Sequence, residues 1–194
     1  MLTLTNHYVI VIDACDLVPM PLCDTLLRLA EEPAFYIPKW SLQILEEVER
    51  TLIRWGYSPL QAKRRINSMM NAFEDAMVSD YEPLIEMVRN HVEDRHVLAA
   101  AVKCGANAIL TENTKHFPDG SLAPYGVETI TADNFLIHQY HFDKNQVLTI
   151  LEQQATKIKV EVPELLTKLS VNAPKFCTLI SESLQLKTGK RKEP

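Results

Sequence analysis

The stretch "VEDRHVLAAAVKCGANAILTENTKHFP" (residues 92–118) decides the interpretation of the fold, because a helix-like run passes directly into a strand-like run. Alanine and other helix-forming residues follow the charged cluster, and Gly105 is the kind of residue that commonly ends a helix. The short apolar run 107–111 then predicts a strand. A helix followed at once by a strand is typical of an α/β fold.

Polar side chains stand at both ends of this helix–strand pair. Asp94 begins the helix, Thr111 closes the strand, and Asn113 and His116 follow it. Helical spacing places Asp94 near the inward face of its helix. Position alone leaves two interpretations open, either an acid of a site beyond the strand end or an ordinary helix-capping aspartate.

Strand-like and helix-like runs alternate along most of the chain, which predicts an α/β fold with a mainly parallel central sheet. The first strand is nearly all apolar and is expected to be central and buried on both faces, and Pro38 is expected to end the second. Strands are predicted at residues 8–13, 34–40, 76–80, 107–111 and 126–131. Helices are predicted at residues 21–32, 42–56, 59–75, 83–90, 93–105 and 132–140.

The last quarter of the chain carries only helix-like patterns. Residues 143–158, 162–169 and 174–186 each have apolar residues at helical spacing. The sequence therefore predicts an α/β domain over residues 1–141 and a helical extension packed on or beside it over 142–186. A basic disordered tail is expected at 187–194.

Composition is that of an ordinary soluble globular protein. The 194 residues are 46% hydrophobic and 23% charged, and the net charge of −5 argues against a wholly basic nucleic-acid binder. Lys63, Arg64 and Arg65 form a local basic cluster that is either solvated surface or part of a basic groove. The four cysteines lack metal-ligand or disulfide spacing, and no signal peptide or membrane helix is apparent, so a cytoplasmic location is expected.

Acidic residues occur where an α/β sheet gathers ligands. Asp13 closes the first strand, and it is either a site residue or a turn-capping aspartate. On the helix 42–56, an apolar stripe is expected to include Leu52 and Trp55, so that Glu46 faces solvent; periodicity does not choose between Glu47 and Glu49. Separate acids from a strand end and two helices suit Mg²⁺ or Mn²⁺, which prefer oxygen ligands.

The order and spacing of these motifs resemble the PIN-domain family of metal-dependent ribonucleases, and more narrowly its bacterial VapC-type toxin branch. The resemblance runs from residue 8 to residue 140 through "VIVIDAC", "WSLQILEEVERTL", "EDRHVLAAAVKCGANAILT", "TENTKHFP" and "YGVETITADNFL". It implies a three-layer α/β/α sandwich with an acidic pocket for divalent ions. The helical tail is similar to the extension of one subgroup.

The resemblance also assigns roles to individual positions. Asp13, Glu47 and Asp94 match the metal-binding acids, which settles the choice between Glu47 and Glu49. Thr111 and Asn113 match a polar motif after the fourth strand, with Asn113 as a fourth catalytic position. Many relatives have aspartate near Asn113, and close relatives often have it at position 116, so this chain departs from the pattern at that corner.

The resemblance implies hydrolysis of RNA phosphodiester bonds with Mg²⁺ or Mn²⁺, an antitoxin partner and a homodimer, with no membrane. Thr111, Arg95 and His116 are the expected contacts to substrate or phosphate, although Arg95 could equally form a surface salt bridge. Asp16 could reach the pocket or cap the next helix. The alternative is a catalytically weak PIN-fold protein that binds RNA or regulates a partner. A phosphotransfer domain is disfavoured, because no second acid adjoins Asp13.

Overall fold

The computed structural model describes residues 8–189, with side chains as far as residue 185. The predicted α/β class is confirmed by a sheet of five parallel strands in the order β3-β2-β1-β4-β5. All five predicted strands form, which is consistent with a PIN-like sandwich carrying additional helices. They are β1 (Val9–Ile12), β2 (Ile37–Ser41), β3 (Met77–Val78), β4 (Ala108–Leu110) and β5 (Glu128–Ile130).

The central position of β1 follows from its unbroken apolar run. Ile10, Val11 and Ile12 are fully buried, as the sequence predicts for a strand covered on both faces. The ladder with β4 continues one residue past β1, where the Asp13 N–H donates to Leu110 O at 3.0 Å. This bond places the side chains that follow β1 and β4 at the same edge of the sheet.

The expectation that Pro38 ends the second strand is wrong, because β2 begins at Ile37 and continues through Pro38. The Ile37 N–H donates to Tyr8 O on the β1 side. Successive N–H groups of a strand point to opposite sides, so Pro38 would donate away from β1. There β3 pairs only with Trp40 and Ser41, so the missing N–H of Pro38 leaves no ladder bond unmade.

Helices follow the strands closely, and most match the predicted segments. The segment expected as a helix at 83–90 is instead a single 3₁₀ turn at Glu82–Leu84, with Pro83 inside it. The helices are α1 (Ala14–Leu17), α2 (Met20–Ala30), α3 (Leu42–Arg54), α4 (Pro59–Ala72), α5 (Arg95–Cys104), α6 (Asp119–Leu122), α7 (Ala132–Phe142), α8 (Lys144–Lys157), α9 (Val162–Leu169) and α10 (Pro174–Gly189).

Helix α3 buries its predicted stripe with one exception. Ile44, Leu45, Val48 and Leu52 are at most 1% exposed, but the Trp55 side chain is 61% exposed. The expectation that Trp55 belongs to the stripe is therefore wrong. The helix ends at Arg54, and the chain turns away before Trp55 reaches the core.

The chain divides into two compact units, and the predicted division at 141/142 stays a prediction. The first holds the sheet and comprises residues up to Val18 together with Ala30–Thr131. The second comprises Pro19–Leu29 and the chain from Ala132 onward. Helix α7 belongs to the second unit because it packs against α8 and α10.

The second unit is built from two distant stretches of chain. Inside it, Thr25 Oγ1 donates to Gln154 Oε1 at 2.8 Å, and Gln154 Nε2 donates to Pro21 O at 2.9 Å. Helix α10 continues to Gly189, so residues 187–189 are helical rather than part of the expected tail. The rest of that predicted tail, 190–194, lies outside the described residues. None of the described helices is both long and apolar enough to cross a membrane.

Candidate functional site

Asp13 and Thr111 meet where β1 and β4 end. The Thr111 hydroxyl donates to Asp13 Oδ2 at 2.7 Å, and the Ala14 N–H donates to Asp13 Oδ1 at 2.6 Å. Both side chains are buried, Asp13 to 4% exposure and Thr111 completely. Asp13 therefore caps the short helix α1 and also lies at the strand end, so the two interpretations of this residue are compatible.

The electrostatics of Asp13 are those of a carboxylate without a cation. Burial raises the pKa of Asp13, and the negative charge of Asp94 raises it further, while hydrogen bonds from Thr111, Cys15 and Ala14 lower it. No lysine or arginine among the described residues forms an ion pair with Asp13. Asp94 is thus within electrostatic reach, and the pair would gain from a positive ion.

Asp94 is oriented by His116 rather than by its own helix. It occupies the N-cap position of α5, but its side chain makes no capping hydrogen bond. Instead, His116 Nδ1 donates to Asp94 Oδ2 at 2.7 Å. The His91 ring stacks on His116 with a centroid separation of 4.1 Å, and the His91 N–H donates to His116 O. Asp94 therefore stands at the N-cap position of α5 without capping the helix through its side chain.

Glu47 lies beside a buried histidine of α5. His96 Nε2 is 3.4 Å from Glu47 Oε1, and Arg50 approaches the same oxygen at 3.8 Å. The His96 contact lacks hydrogen-bond geometry, so Nε2 has no hydrogen-bond partner among the described residues, while Nδ1 donates to Glu93 O at 2.9 Å. Glu46 is exposed, as expected from helical spacing.

The three expected substrate contacts and Asn113 differ in their surroundings. Asn113 is exposed, and its backbone N–H donates to Thr111 Oγ1 at 3.1 Å. Within the described chain, its side chain forms no hydrogen bond with the acids. Arg95 donates from Nε to Asn90 O at 3.4 Å. It forms no salt bridge with any described residue, contrary to the alternative left open by the sequence.

Asp16 lies in the same buried neighbourhood, although the resemblance gave it no role. It is fully buried, and Oδ1 has no hydrogen-bond partner in the described structure. Burial, followed by the charges of Glu112 and Asp13, raises the pKa of Asp16 to about 8. The sequence signal was an acid on the first helical turn after a buried strand.

Cys15 is the residue that sequence reasoning missed. Its thiol lies 3.4 Å from Asp13 Oδ2, 3.5 Å from Asp16 Oδ2 and 3.7 Å from Thr111 Oγ1. Burial and the two neighbouring acids raise its pKa, so the thiol stays protonated and donates rather than reacts. Its position two residues after Asp13 was the available signal. All four cysteines are free, as expected.

The chemistry of these residues fits a hard divalent cation, although their spacing does not yet form a closed site. Asp13, Asp16 and Asp94 supply carboxyl oxygens, which hard cations prefer. The charge of Asp94 raises the pKa of Asp13, and the charge of Asp13 contributes to raising that of Asp16. Asp16 Oδ1 is buried and has no hydrogen-bond partner in the described structure. However, no three His, Cys, Asp or Glu side chains among the described residues are close enough to hold one ion together. A cation would therefore bind through few protein ligands and retain waters, as Mg²⁺ commonly does.

Comparison with known proteins connects part of the chain with a nuclease. Over 72 residues, the chain is 46% identical to the protein named "Putative ribonuclease VapC50" from Mycobacterium tuberculosis. The match covers 37% of this chain and 43% of that relative, so it spans less than half of either protein. No family model and no solved structure matches the chain. The similarity to a VapC-type ribonuclease is thus established for part of the chain.

Proposed function

We propose that this chain is a divalent-metal-dependent endoribonuclease of the VapC type that hydrolyses RNA phosphodiester bonds. The observation that carries the proposal is the uncompensated acidic neighbourhood of Asp13 and Asp94 at the carboxyl ends of β1 and β4, where parallel sheets bind ligands. The partial similarity to a protein named as a ribonuclease supports the same chemistry.

The protein's side chains would divide the work as follows. Asp13 and Asp94 would bind Mg²⁺ or Mn²⁺, and Glu47 would act on the same ion through water, because no three such side chains in the described chain are close enough to hold one ion directly. The bound cation would make a nearby water more acidic and stabilise the negative charge that develops on the phosphate. Thr111 fixes the orientation of Asp13, and His116 that of Asp94. Asn113 and Arg95 would position water and phosphate, with His116 as a further phosphate contact.

A direct test is cleavage of single-stranded RNA with Mn²⁺ or Mg²⁺ by the wild type beside Asp94→Asn and Asp13→Asn. We expect metal-dependent cleavage that is lost in both variants. Glu47→Gln should also lose activity, whereas Glu46→Gln, one residue away and exposed, is the matched control and should retain it. Full cleavage by Asp94→Asn, or equal effects of the two glutamine variants, would contradict the assigned site.

The alternative is a PIN-fold protein that binds RNA with little catalysis. The observation that favours it is the spacing of the acids, since no three candidate ligands in the described part of the chain are close enough for one ion. Titration calorimetry with Mn²⁺ separates the two functions. Well-folded wild type that binds RNA but neither binds Mn²⁺ nor cleaves RNA would establish the alternative.

The biological setting forms part of the same proposal. A VapC-type toxin would be cytoplasmic, would be inhibited by a cognate antitoxin covering the acidic pocket, and would form a homodimer. Light scattering during size-exclusion chromatography measures the oligomeric state. Loss of growth on expression, reversed by Asp94→Asn, is the expected result for a toxin; normal growth with an active wild type would argue against that role.

A further inference from the structure

An unusually apolar and aromatic surface occurs where α3 passes into α4. The side chains of Ile53, Trp55, Tyr57 and Leu60 are 40%, 61%, 42% and 60% exposed. Every residue from 53 to 61 is exposed, so these side chains lie on one continuous stretch of surface. We call this stretch, residues 53–61, the aromatic corner.

The aromatic corner is held by hydrogen bonds rather than being a loose loop. The Gly56 φ angle of +93° lets the chain reverse, and the Tyr57 N–H donates back to Leu52 O at 3.1 Å. Ser58 and Gln61 then form a capping box that fixes the start of α4. Trp55 and Tyr57 are therefore presented on a preorganised turn, which reduces the entropy lost on binding.

The corner continues into a basic surface, although the whole protein is acidic. Residues 51–73 contain four cations and no acid, against a net charge of −5 for the chain. Arg65 is used within the fold, because its guanidinium donates to the carbonyl oxygens of Val18 and Leu17. Lys63 and Arg64 are exposed and appear in no ion pair of the described structure.

Helix α4 extends this surface along one face. Leu60, Arg64, Asn67 and Asn71 are exposed and follow one another at three- and four-residue spacing, so they share one side of the helix. Amide side chains can donate to phosphate oxygens or to base edges. With Lys63 beside Arg64, this surface offers two exposed cations and neutral donors, and no residue from 51 to 73 is an acid that would repel a phosphate.

We propose that the aromatic corner and the exposed face of α4 bind single-stranded RNA, with bases stacked on Trp55 and Tyr57 and phosphates paired with Lys63 and Arg64. Exposed aromatic rings beside a basic surface are the combination that binds single strands without reading their sequence. A second copy of this face would bring like charges together and is disfavoured. The inference rests on the proposed function, because it identifies where that nuclease holds its substrate.

Two routes connect this surface to the candidate site: one runs along helix α3, and the other runs through the packing of α4. Glu47 and Trp55 lie eight residues apart on and just after α3, about 12 Å along the helix axis. From the corner, α4 packs back along α3, and its Arg65 contacts the end of α1, the helix that Asp13 caps. A strand bound at the corner can therefore follow α4 towards the carboxyl edge of the sheet.

Fluorescence anisotropy of a short labelled single-stranded RNA, in EDTA to prevent cleavage, tests this surface on the full chain. Trp55→Ala and Tyr57→Ala should each weaken binding about tenfold, and Trp55→Phe should restore most of it. The double variant Lys63→Glu/Arg64→Glu should weaken binding and lower the slope of log affinity against log salt by about 1.4, because each phosphate contact on a single strand contributes about 0.7. Phe142→Ala and Lys157→Glu, exposed residues of the second unit, are the matched controls and should bind as the wild type does.

The outcomes separate this inference from the proposed function. Wild-type affinity in the aromatic and charge variants, with native circular dichroism spectra, would overturn the inference even if metal-dependent cleavage is present. Equal displacement of the RNA by polyglutamate would also overturn it, because the surface would then serve an acidic protein. Weakened binding in both sets of variants without cleavage by the wild type would support the surface and refute the nuclease.

Discussion

His116 Nδ1 donates a hydrogen bond to Asp94 Oδ2 over 2.7 Å, joining two residues that lie 22 positions apart and flank the α5–β4 pair. The segment 92–118, from which the fold was predicted, is thus closed by a hydrogen bond between residues near its two ends. A backbone bond from the His91 N–H to His116 O reinforces the closure. The orientation of Asp94, a candidate metal ligand, consequently depends on the ring of His116.

Replacing His116 with alanine should lower the free energy of unfolding by about 1 kcal/mol, because the Asp94 carboxylate loses a strong donor while it is only 14% exposed. His91→Ala, which removes only the stacked ring, is the matched comparison and should cost less. Urea denaturation measures both. In addition, we expect Mn²⁺ affinity to change in His116→Ala, since Asp94 becomes free to reorient; identical calorimetric titrations would show that the bond has no role in positioning.

Thr111→Val should be destabilising although its side chain has nearly the same shape. Asp13 Oδ2 loses the 2.7 Å bond from the hydroxyl in a buried setting, where leaving a polar group unpaired costs about 1–3 kcal/mol. The pKa of Asp13 should rise further, because that bond favours the ionised carboxylate. Thr149→Val, on an exposed helix surface, is the control; a cost no greater than the control's would mean that the Thr111 bond contributes nothing.

The free energy of unfolding should fall as the pH rises, because Asp16 loses its proton in the folded protein only at high pH. Its ordinary pKa of 3.8 is raised to about 8 in the folded protein, so between these values the folded state keeps a proton that the unfolded chain releases. The contribution is complete below the lower value and is lost as the pH approaches the higher one. The slope is at most about 1.4 kcal/mol per pH unit.

Asp16→Asn should remove that slope while preserving the shape of the side chain. Urea unfolding across this pH range measures the difference between variant and wild type. Asp119→Asn, an exposed acid, provides the comparison. Parallel pH profiles for wild type and Asp16→Asn would refute the assignment of the buried charge.

In the second unit, Asp133→Ala should cost about 2 kcal/mol of unfolding free energy. Asp133 is 9% exposed and accepts hydrogen bonds from the Phe176 N–H at 2.8 Å and the Lys175 N–H at 3.2 Å, so an acid on α7 caps α10. Asp143→Ala removes a local, exposed cap of α8 and should cost about 1 kcal/mol or less. Equal losses of unfolding free energy in the two variants would show that the long-range cap by Asp133 stabilises the protein no more than the local cap by Asp143.

Much of the fold follows from local patterns in the sequence. The apolar run of β1 predicted a central strand, and Gly105 marked the end of α5. Pro38 misled because its effect depends on which neighbour lies on its N–H side, and Trp55 misled because helical periodicity continues only as long as the helix does. Both depend on tertiary pairing, which a local pattern does not contain.

The sequence predicted which residues could form the candidate site, but not the contacts that they make. Asp13 and Thr111 were each predicted to close a strand, and the structure joins them by a hydrogen bond. The bond between Asp94 and His116 and the burial of Asp16 required three-dimensional packing, because neither follows from periodicity. The metal ligand set itself stays a prediction.

The second unit joins Thr25 to Gln154 across 129 residues of sequence. During synthesis at about 5–20 residues per second, α2 would leave the ribosome roughly 6 to 26 seconds before its partner on α8 exists. Over that interval Leu22, Leu26 and Leu29, all fully buried in the finished protein, lie on a helix whose hydrogen-bonding partner α8 has not yet been made. We expect nascent chains arrested after residue 131 to be captured by chaperones and cleaved by protease within α2, and full-length chains to resist both. The order of translation therefore delays the folding of the second unit until α8 has been made.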